Sequence, residues 1–258
     1  MNSRLIGNGE ITLVLSHGYG ASQAVWDEVV PKLSKRYQLF LFDWCFSEAV
    51  KPPLTFDSSK DFSFEGFADE LISLLDNYKL KCVVFVGHSM AGMVGCLASI
   101  KRPDLFSHLV LVGASPRYVN SDDYQGGFQL TDVENILTNI QTNFQAWAEE
   151  FAPMASGITD QIHLKKLIDS FKGMNPTAAL PLAKMIFLSD QRHVLEHVKL
   201  PCTIIQGTED IVVPVVVGDY MKCKLKGETS LVNIDKNAHF PQITSPKKFV
   251  EILRKILK

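Results

Sequence analysis

Short apolar runs alternate along the chain with segments of helical amphipathic spacing. Several runs are unbroken, which is typical of parallel strands that are covered on both faces. We predict strands at Ile11–Ser16, Gln38–Phe42, Cys82–Val86, Leu109–Val112, Cys202–Gln206 and Ser230–Ile234. We predict helices at Ser22–Ser34, Phe64–Asn77, Met90–Lys101, Val215–Lys224 and Pro246–Lys258. This alternation indicates an α/β protein with a mostly parallel, doubly wound sheet.

The alternation stops between residues 115 and 198, where only helical periods remain. Leu130, Val133 and Leu137, for example, recur at the spacing of one helix face. Ligands of open α/β sheets bind beyond the carboxyl ends of the strands, so a helical insertion there would enclose an apolar pocket and exclude water. We therefore divide the chain into a core of residues 1–114 and 199–258 and a cap of residues 115–198.

Composition narrows the possible partners and compartments. Of 258 residues, 46% are hydrophobic, and 26 basic residues nearly balance 28 acidic ones. No basic patch favours nucleic acid, no apolar run is long enough for a membrane span, and no signal peptide begins the chain. The five cysteines include no C-x-x-C pair, and Cys82, Cys96 and Cys202 lie in apolar runs typical of reduced core residues. We expect a soluble monomer of the cytoplasm or nucleus.

The segment Gly87-His88-Ser89-Met90-Ala91 carries the most informative pattern. A serine between a strand and a helix, flanked by small residues, has the form of a nucleophile elbow. The tight turn requires the small residues, and the helix N-terminus would stabilise an oxyanion. The fifth position is Ala91 rather than the usual glycine, and the alternative is an ordinary helix N-cap serine. The flanking elements favour Ser89 as a nucleophile.

A nucleophilic serine needs a base and an orienting acid, and after such an elbow they follow in the order Asp or Glu, then His. His239 lies after the last predicted strand and is the candidate base. Asp210 follows the strand Cys202–Gln206, from whose carboxyl end a carboxylate can reach the imidazole N–H. Glu209 and Asp235 remain competitors for the role of the acid.

The glycine-rich turn Ser16-His17-Gly18-Tyr19-Gly20 follows the first predicted strand. It is predicted to supply one oxyanion N–H, from Tyr19, while Met90 after the nucleophile supplies the other. The alternative is a plain strand-to-helix loop. Nucleotide-binding glycine motifs and zinc-ligand spacings are missing from the sequence, so we expect no cofactor and no metal.

With these residues identified, the chain resembles the plant strigolactone and karrikin receptor family of α/β-hydrolases. It is similar, more distantly, to the bacterial stress-response regulator hydrolase related to them. The resemblance covers nearly the whole chain. The matching strings are Gly18–Trp26, Val86–Met90, Ile100–Phe106, Ser115–Asn120, Asp123–Phe128, Asp210–Pro214 and His239–Gln242.

The resemblance implies a Ser89–His239–Asp210 triad and a four-helix cap over an apolar pocket for butenolide-type ligands. It also implies slow hydrolysis of the ligand and a ligand-dependent surface that engages an F-box protein and a repressor target. Tyr19, Phe128, Trp147 and Phe151 match pocket residues of the family. The expected ligand pocket as a whole comprises Tyr19, His88, Phe128, Trp147, Phe151, Phe187 and Phe240.

One stretch departs from the family pattern. Relatives commonly carry Asp-x-x-Gly-x-Gly after the second strand, where this chain has Asp43-Trp44-Cys45-Phe46-Ser47-Glu48. Phe46 and Glu48 resist the positive-φ turns that glycine permits, so we expect a different loop path and an altered choice of ligand.

Two functional hypotheses follow from the sequence. The first is a serine esterase that binds and slowly hydrolyses a butenolide-like small apolar ester or lactone. The alternative is a ligand-sensing receptor or scaffold that engages an F-box partner, with hydrolysis incidental. Neither hypothesis involves nucleic acid or a membrane.

Overall fold

A computed structural model describes residues 2–47 and 62–257 of the chain. Its strands are β1 Ser3–Ile6, β2 Thr12–Ser16, β3 Gln38–Phe42, β4 Val83–His88, β5 Phe106–Val112, β6 Cys202–Gly207 and β7 Thr229–Ile234. Within the described residues they form one sheet in the order β1-β3-β2-β4-β5-β6-β7. Only β1 pairs antiparallel, with β3, and the other neighbours are parallel. The predicted mostly parallel sheet is confirmed.

Burial explains which strands the sequence revealed. Every residue of β4 and β6 is buried, so both faces of the sheet are covered there and the strands are apolar throughout. The edge strand β1 is half-exposed, because it pairs with a single neighbour, β3. Its short and mixed sequence therefore carries no strand signal, and it was not predicted.

The helices are α1 Val30–Leu33, α2 Phe64–Asn77, α3 Met90–Lys101, α4 Leu130–Ser156, α5 Gln161–Lys172, α6 Pro176–Leu188, α7 Val215–Lys224, α8 Pro241–Thr244 and α9 Pro246–Ile256. The predictions for α2, α3 and α7 match at both ends. The predicted helix Ser22–Ser34 is wrong, because the segment forms a 3₁₀ turn at Gln23–Trp26 and then the separate α1. Pro31 lies in the first turn of α1, where a proline is tolerated, but its ring would clash with the Asp27 carbonyl in a helix that ran on from the 3₁₀ turn.

Helices α4 to α6 lie between β5 and β6, where the strand–helix alternation of the sequence stops. Helix α4 is broken at Asn143, whose backbone leaves the helical region at φ −152° and ψ 75°. The Asn143 side-chain oxygen accepts a hydrogen bond from the Ala146 N–H at 3.1 Å and so caps the second half of α4. The insertion therefore comprises four α-helical segments, as the predicted fold class requires, followed by a 3₁₀ helix at Arg192–His197.

Two smaller expectations concern cysteines and membrane spans. All five cysteines are free thiols, and Cys96 and Cys202 are buried as predicted. The prediction for Cys82 is wrong, because it precedes β4 in an exposed turn with φ 51°. Among the described helices, none combines the length and apolar character that a membrane crossing needs.

The described part of the loop after β3, Asp43–Ser47, contains no glycine and needs no left-handed backbone. No residue from Asp43 to Ser47 has a positive φ. Phe46 is fully buried, and its ring meets those of Phe67 and His17 edge-on. Phe46 thus contributes a side chain to the core at a position where glycine would leave space. Glu48 lies outside the described residues.

Candidate active site

Ser89 occupies the sharp turn between β4 and α3. Its φ of 56° and ψ of −125° lie far from ordinary strand or helix values. A hydrogen bond of 2.8 Å from the Ser89 N–H to the Val112 carbonyl fixes the turn to β5. A Cβ at Gly87 would lie 2.7 Å from the Ala91 carbonyl carbon, so this position must be glycine. The geometry is that of a nucleophile elbow, in which strain exposes the serine hydroxyl beyond the strand ends.

Asp210 lies just beyond β6 and is buried. One carboxylate oxygen accepts the N–H groups of Val212 and Val213 at 2.8 and 3.0 Å. The other accepts the side-chain amide of Gln206 at 3.2 Å and the imidazole of His239 at 2.8 Å. Four donors therefore hold the carboxylate in one orientation and compensate the burial of its charge.

His239 reaches Asp210 from the loop after β7. Because an ionised carboxylate only accepts hydrogen bonds, Nδ1 carries the proton and Nε2 is left with its lone pair. The His239 backbone N–H donates to the Ala155 carbonyl at 3.0 Å, which ties this loop to α4. The competing carboxylates Glu209 and Asp235 are exposed and have no hydrogen bond to His239 in the described part of the chain.

Ser89 and His239 line the same cavity. Across the described residues, however, the Ser89 hydroxyl forms no hydrogen bond with the His239 ring. In free enzymes such catalytic hydrogen bonds are often long and tighten only when substrate binds.

Two backbone N–H groups beside Ser89 are free of protein acceptors. Neither the N–H of Tyr19 nor that of Met90 donates to another group within residues 2–47 and 62–257. Gly18 brings the Tyr19 loop against Ser89, since a Cβ at Gly18 would lie 2.9 Å from the Ser89 Cβ. Unpaired donors at this place have the arrangement of an oxyanion hole.

The cavity beside Ser89 is narrow, with a volume of about 30 Å³. That volume has room for about two water molecules. It is lined by Tyr19, His88, Ser89, Tyr118, Phe151, Phe171, Ile186, Phe187, Val212, His239 and Phe240. Aromatic side chains predominate among them, so the site favours apolar ligands.

Five of the seven predicted pocket residues line this cavity, whereas Phe128 and Trp147 do not. Both lie one layer behind it. The Phe128 ring contacts Phe187 with ring centroids 5.9 Å apart, and Trp147 stacks on Phe151 at 4.7 Å. Each thus supports a lining residue. The loop 43–47 contributes no lining residue either, so a direct effect on ligand choice has no support in the described residues.

Tyr118 is the most informative lining residue that the sequence did not reveal. Its hydroxyl is buried near the Ser89 hydroxyl and has no well-aligned hydrogen-bond partner among the described residues. Burial raises the pKa of Tyr118, an effect that the neighbouring Ser89 hydroxyl partly offsets. Phe171 and Ile186 were missed as well, because only the packing of the insertion on the sheet brings them here. Val212 was also missed, although it lies only two residues after Asp210.

Burial also shifts the pKa values of two predicted lining residues. It lowers the pKa of His88 well below its usual value, and the nearby His239 lowers it further. It raises the pKa of Tyr19, whose hydroxyl donates to the Ala179 carbonyl of α6 at 3.0 Å. The cavity wall is therefore uncharged at neutral pH on both sides of Ser89.

Comparisons with known proteins agree with this geometry. The family model of the alpha/beta hydrolase fold matches residues 11–246. The chain belongs to the α/β-hydrolase family. This hydrolase is 39% identical over 253 residues to karrikin insensitive 2 receptor CA of Petunia hybrida, covering 98% of this chain and 93% of that protein. It is 33% identical to strigolactone esterase D14 of Arabidopsis thaliana, covering 100% of this chain and 96% of that protein.

A solved structure of a hydrolase from Oleispira antarctica has the same fold as this hydrolase. The TM-score is 0.93 at 28% identity, over 98% of this chain and 93% of that one. The predicted resemblance to the strigolactone and karrikin receptor group is confirmed, and the protein is a hydrolase-family enzyme.

Proposed function

We propose that this hydrolase is a serine esterase or lactonase with Ser89 as nucleophile, His239 as base and Asp210 as orienting acid. One observation carries the proposal: the 2.8 Å hydrogen bond between His239 Nδ1 and Asp210, buried beside the cavity that Ser89 lines. This bond leaves the lone pair of Nε2 free to accept the serine proton.

The reaction has two halves. Ser89 Oγ attacks the substrate carbonyl while His239 Nε2 takes its proton, and the N–H groups of Tyr19 and Met90 stabilise the oxyanion. The intermediate collapses to an acyl-enzyme, and His239 gives its proton to the departing alcohol or enol. Water then attacks the acyl group with His239 as base, which releases the acid and restores Ser89.

The substrate we propose is a small apolar ester or lactone of the butenolide type. The aromatic lining supports an apolar ligand. The names of the relatives, a karrikin receptor and a strigolactone esterase, support a ligand of this kind. In this proposal residues 115–198 act as a cap unit that closes over the ligand, and residues 1–114 and 199–258 act as the catalytic core.

The volume of the cavity favours a second, compatible function. Ligand pockets of drug size usually hold about 300 Å³ or more, whereas this cavity has about 30 Å³. A butenolide with substituents must therefore displace lining side chains of the insertion, such as Phe151 and Phe187. We propose on this ground a ligand sensor whose cap changes shape on binding and engages an F-box partner and a repressor. Five free thiols fit a reducing compartment, the cytoplasm or nucleus.

Intact-protein mass spectrometry with a synthetic strigolactone analogue tests the enzymatic proposal. We expect released product from the wild type and none from Ser89→Ala. Ser99→Ala is the matched control, because its hydroxyl lies further along α3 and donates to the Cys96 carbonyl at 2.7 Å. Product from Ser89→Ala at the wild-type rate would refute the role of Ser89. Cleavage of p-nitrophenyl acetate without cleavage of the analogue would instead refute the butenolide substrate.

Hydrogen exchange in the Ser89→Ala variant tests the sensor proposal, because this variant binds ligand without consuming it. We expect the analogue to change exchange in α4, α5 or α6. Unchanged exchange throughout these helices at saturating analogue would contradict a cap that responds to ligand.

A further inference from the structure

The loop that carries Tyr19 is bonded to a second loop, which follows β3. Strands β2 and β3 are parallel neighbours, so the loops at their carboxyl ends lie side by side. The second loop is the segment Asp43–Ser47, in which this chain departs from the glycine pattern of its relatives. None of its described residues lines the cavity, so its hydrogen bonds to the Tyr19 loop do not serve to build the cavity wall.

Trp44 makes two hydrogen bonds to the residue that begins the Tyr19 loop. Its indole Nε1 donates to the His17 carbonyl at 3.0 Å, and its backbone N–H donates to His17 Nε2 at 3.2 Å. Both residues are fully buried. Because no water reaches these groups, each bond fixes the position of the loop backbone more strongly than an exposed bond would.

Ser47 makes a further link at the far side of the same loop. Its hydroxyl lies 3.1 Å from the Ala21 carbonyl and 3.1 Å from His17 Nε2, and its single proton serves one of these acceptors at a time. The Tyr19 N–H thus lies in a loop that is held at both of its ends.

The protonation state of His17 fits this arrangement. Its Nδ1 faces the Gly18 carbonyl at 2.9 Å and is the donor, so Nε2 must accept. Burial lowers the pKa of His17 and keeps the ring neutral, although Asp43 acts in the opposite direction. A protonated ring would turn Nε2–H toward the Trp44 N–H and break the link.

Asp43 holds the chain just beyond the loop. Its carboxylate accepts the backbone N–H and the side-chain amide of Gln23 at 2.7 and 2.6 Å, and the side-chain amide of Asn2 at 2.9 Å. The start of the 3₁₀ turn after the Tyr19 loop is therefore anchored to the same segment.

The held loop lies directly against the nucleophile. A Cβ at Gly18 would lie 2.9 Å from the Ser89 Cβ and 3.0 Å from the His88 carbonyl oxygen. A small outward shift of the loop would carry the Tyr19 N–H away from any oxyanion formed at Ser89. Misplacement of a catalytic group by about 1 Å can cost about a hundredfold in rate.

We propose that Trp44, supported by Ser47 and Asp43, is a positioning residue that holds the Tyr19 N–H in the oxyanion hole. The role rests on the proposed serine-hydrolase function. The fully buried indole fixes this loop through its hydrogen bond to the His17 carbonyl.

The test compares Trp44→Phe with Trp26→Phe. Both tryptophans are fully buried, but the Trp26 indole N–H has no partner among the described residues. The two substitutions therefore remove the same atoms from the core, and only Trp44→Phe breaks a bond to the Tyr19 loop. For p-nitrophenyl acetate we expect Trp44→Phe to lower kcat at least about tenfold. Removal of a whole oxyanion donor lowers kcat by about a hundredfold to a thousandfold, and a displaced donor should cost part of that.

Two further readouts distinguish positioning from general destabilisation. We expect KM to stay within about twofold, and the affinity for phenylboronic acid, whose tetrahedral adduct on Ser89 uses the oxyanion hole, to fall in parallel with kcat. Amide exchange at residues 17–21 should be at least about fivefold faster in Trp44→Phe, as expected from one lost hydrogen bond. Trp26→Phe should leave kcat, boronate affinity and this exchange unchanged.

An unchanged kcat in Trp44→Phe, or an equal loss in Trp26→Phe, would overturn the positioning role. If Trp44→Phe does not fold, Ser47→Ala provides the test, because it removes only the hydroxyl that contacts the Tyr19 loop. We expect kcat and boronate affinity to fall and exchange at residues 17–21 to rise, each by less than in Trp44→Phe. Activity that persists in Ser89→Ala would refute the proposed function instead. In that case the exchange at residues 17–21 still reports whether Trp44 holds the loop.

Discussion

The imidazole of His88 donates a hydrogen bond from Nε2 to the backbone carbonyl of His239 at 2.8 Å. His88 immediately precedes Ser89, so this bond joins the nucleophile turn to the loop of the proposed base. The His88 ring also packs on Phe240, with ring centroids 4.6 Å apart. Burial lowers the pKa of His88, so the ring stays neutral and its one proton remains on Nε2. A residue outside the proposed triad thus helps to set the distance between these two loops.

Replacement of His88 tests this link. His88→Phe keeps an aromatic ring against Phe240 and removes the donor. We expect kcat for p-nitrophenyl acetate to fall about tenfold, since a lost hydrogen bond of about 1 kcal/mol is combined with misplacement of His239. His88→Gln, which retains an N–H donor, should recover part of the loss. A kcat near the wild-type value in His88→Phe, together with a loss in His88→Gln, would show that ring packing rather than the hydrogen bond matters.

The buried Tyr118 hydroxyl has no well-aligned hydrogen-bond partner among the described residues, and this predicts opposite effects on stability and activity. Tyr118→Phe removes an unsatisfied polar group, so the free energy of unfolding should stay equal or rise by about 1 kcal/mol. The same change removes a donor on a residue that lines the cavity, so kcat/KM for the strigolactone analogue should fall about fivefold. Thermal unfolding and steady-state kinetics measure the two effects.

Tyr37→Phe is the matched control for Tyr118→Phe. The Tyr37 hydroxyl is also buried and lacks a partner within the described residues, but Tyr37 does not line the cavity. It should reproduce the effect on stability without the effect on kcat/KM. If both variants keep wild-type kinetics, the Tyr118 hydroxyl makes no contact with this ligand.

Asp210 and its competitors can be separated by neutral substitutions of similar shape. Asp210→Asn removes the acceptor that fixes the His239 tautomer, so kcat should fall by about three to four orders of magnitude. Glu209→Gln and Asp235→Asn should retain kcat within about twofold, because both residues are exposed and neither forms a hydrogen bond with His239 in the described part of the chain. A large loss in either control would assign the orienting role to a different carboxylate.

Local signals in the sequence were sufficient for most of the core and for the residues of the proposed triad. The elbow at Ser89 and the strands β4 and β6 are encoded by residues close together in the chain. The order Ser89, Asp210, His239 then follows from where parallel strands end. Such features need no knowledge of how distant helices pack.

The wall of the cavity depends on long-range packing and was predicted less well. Trp147 and Phe151 lie four residues apart on α4, yet only Phe151 reaches the cavity. The break at Asn143 sets the direction of this half of the helix, and the Phe171 ring of α5 contacts the rings of both Tyr19 and Trp147. Neither the break nor the helix crossing is encoded in a local spacing.

The contact between α5 and the core contains a histidine held by two carboxylates. His163 Nε2 lies 3.0 Å from Glu28 of the core, and Nδ1 lies 2.7 Å from Asp160 at the start of α5. Both nitrogens donate only when the ring is protonated. Hydrogen bonding to Glu28 raises the pKa of His163. Partial desolvation lowers this pKa, and hydrogen bonding to Asp160 raises it further. Asp27 and Lys166 line the same groove, and the Lys166 charge opposes the protonated ring.

The raised pKa fixes the sign of a pH effect on stability. A group with a higher pKa in the folded state stabilises it fully below the unfolded pKa of about 6.5 and loses that contribution as pH rises through the folded pKa. The melting temperature of the wild type should therefore exceed that of His163→Gln by more at about pH 5.5 than at about pH 8.5.

Thermal melts of three proteins at both pH values test this contact, with His193→Gln as the control because His193 is exposed and has no ion pair in the described residues. The His163 side chain is 34% exposed, so the effect should be modest and should shrink as salt is added. If the difference in melting temperature between wild type and His163→Gln is equal at both pH values, the contact stabilises the protein by packing alone. A difference in melting temperature that is larger at about pH 5.5 would show that protonation of His163 strengthens the contact between α5 and Glu28.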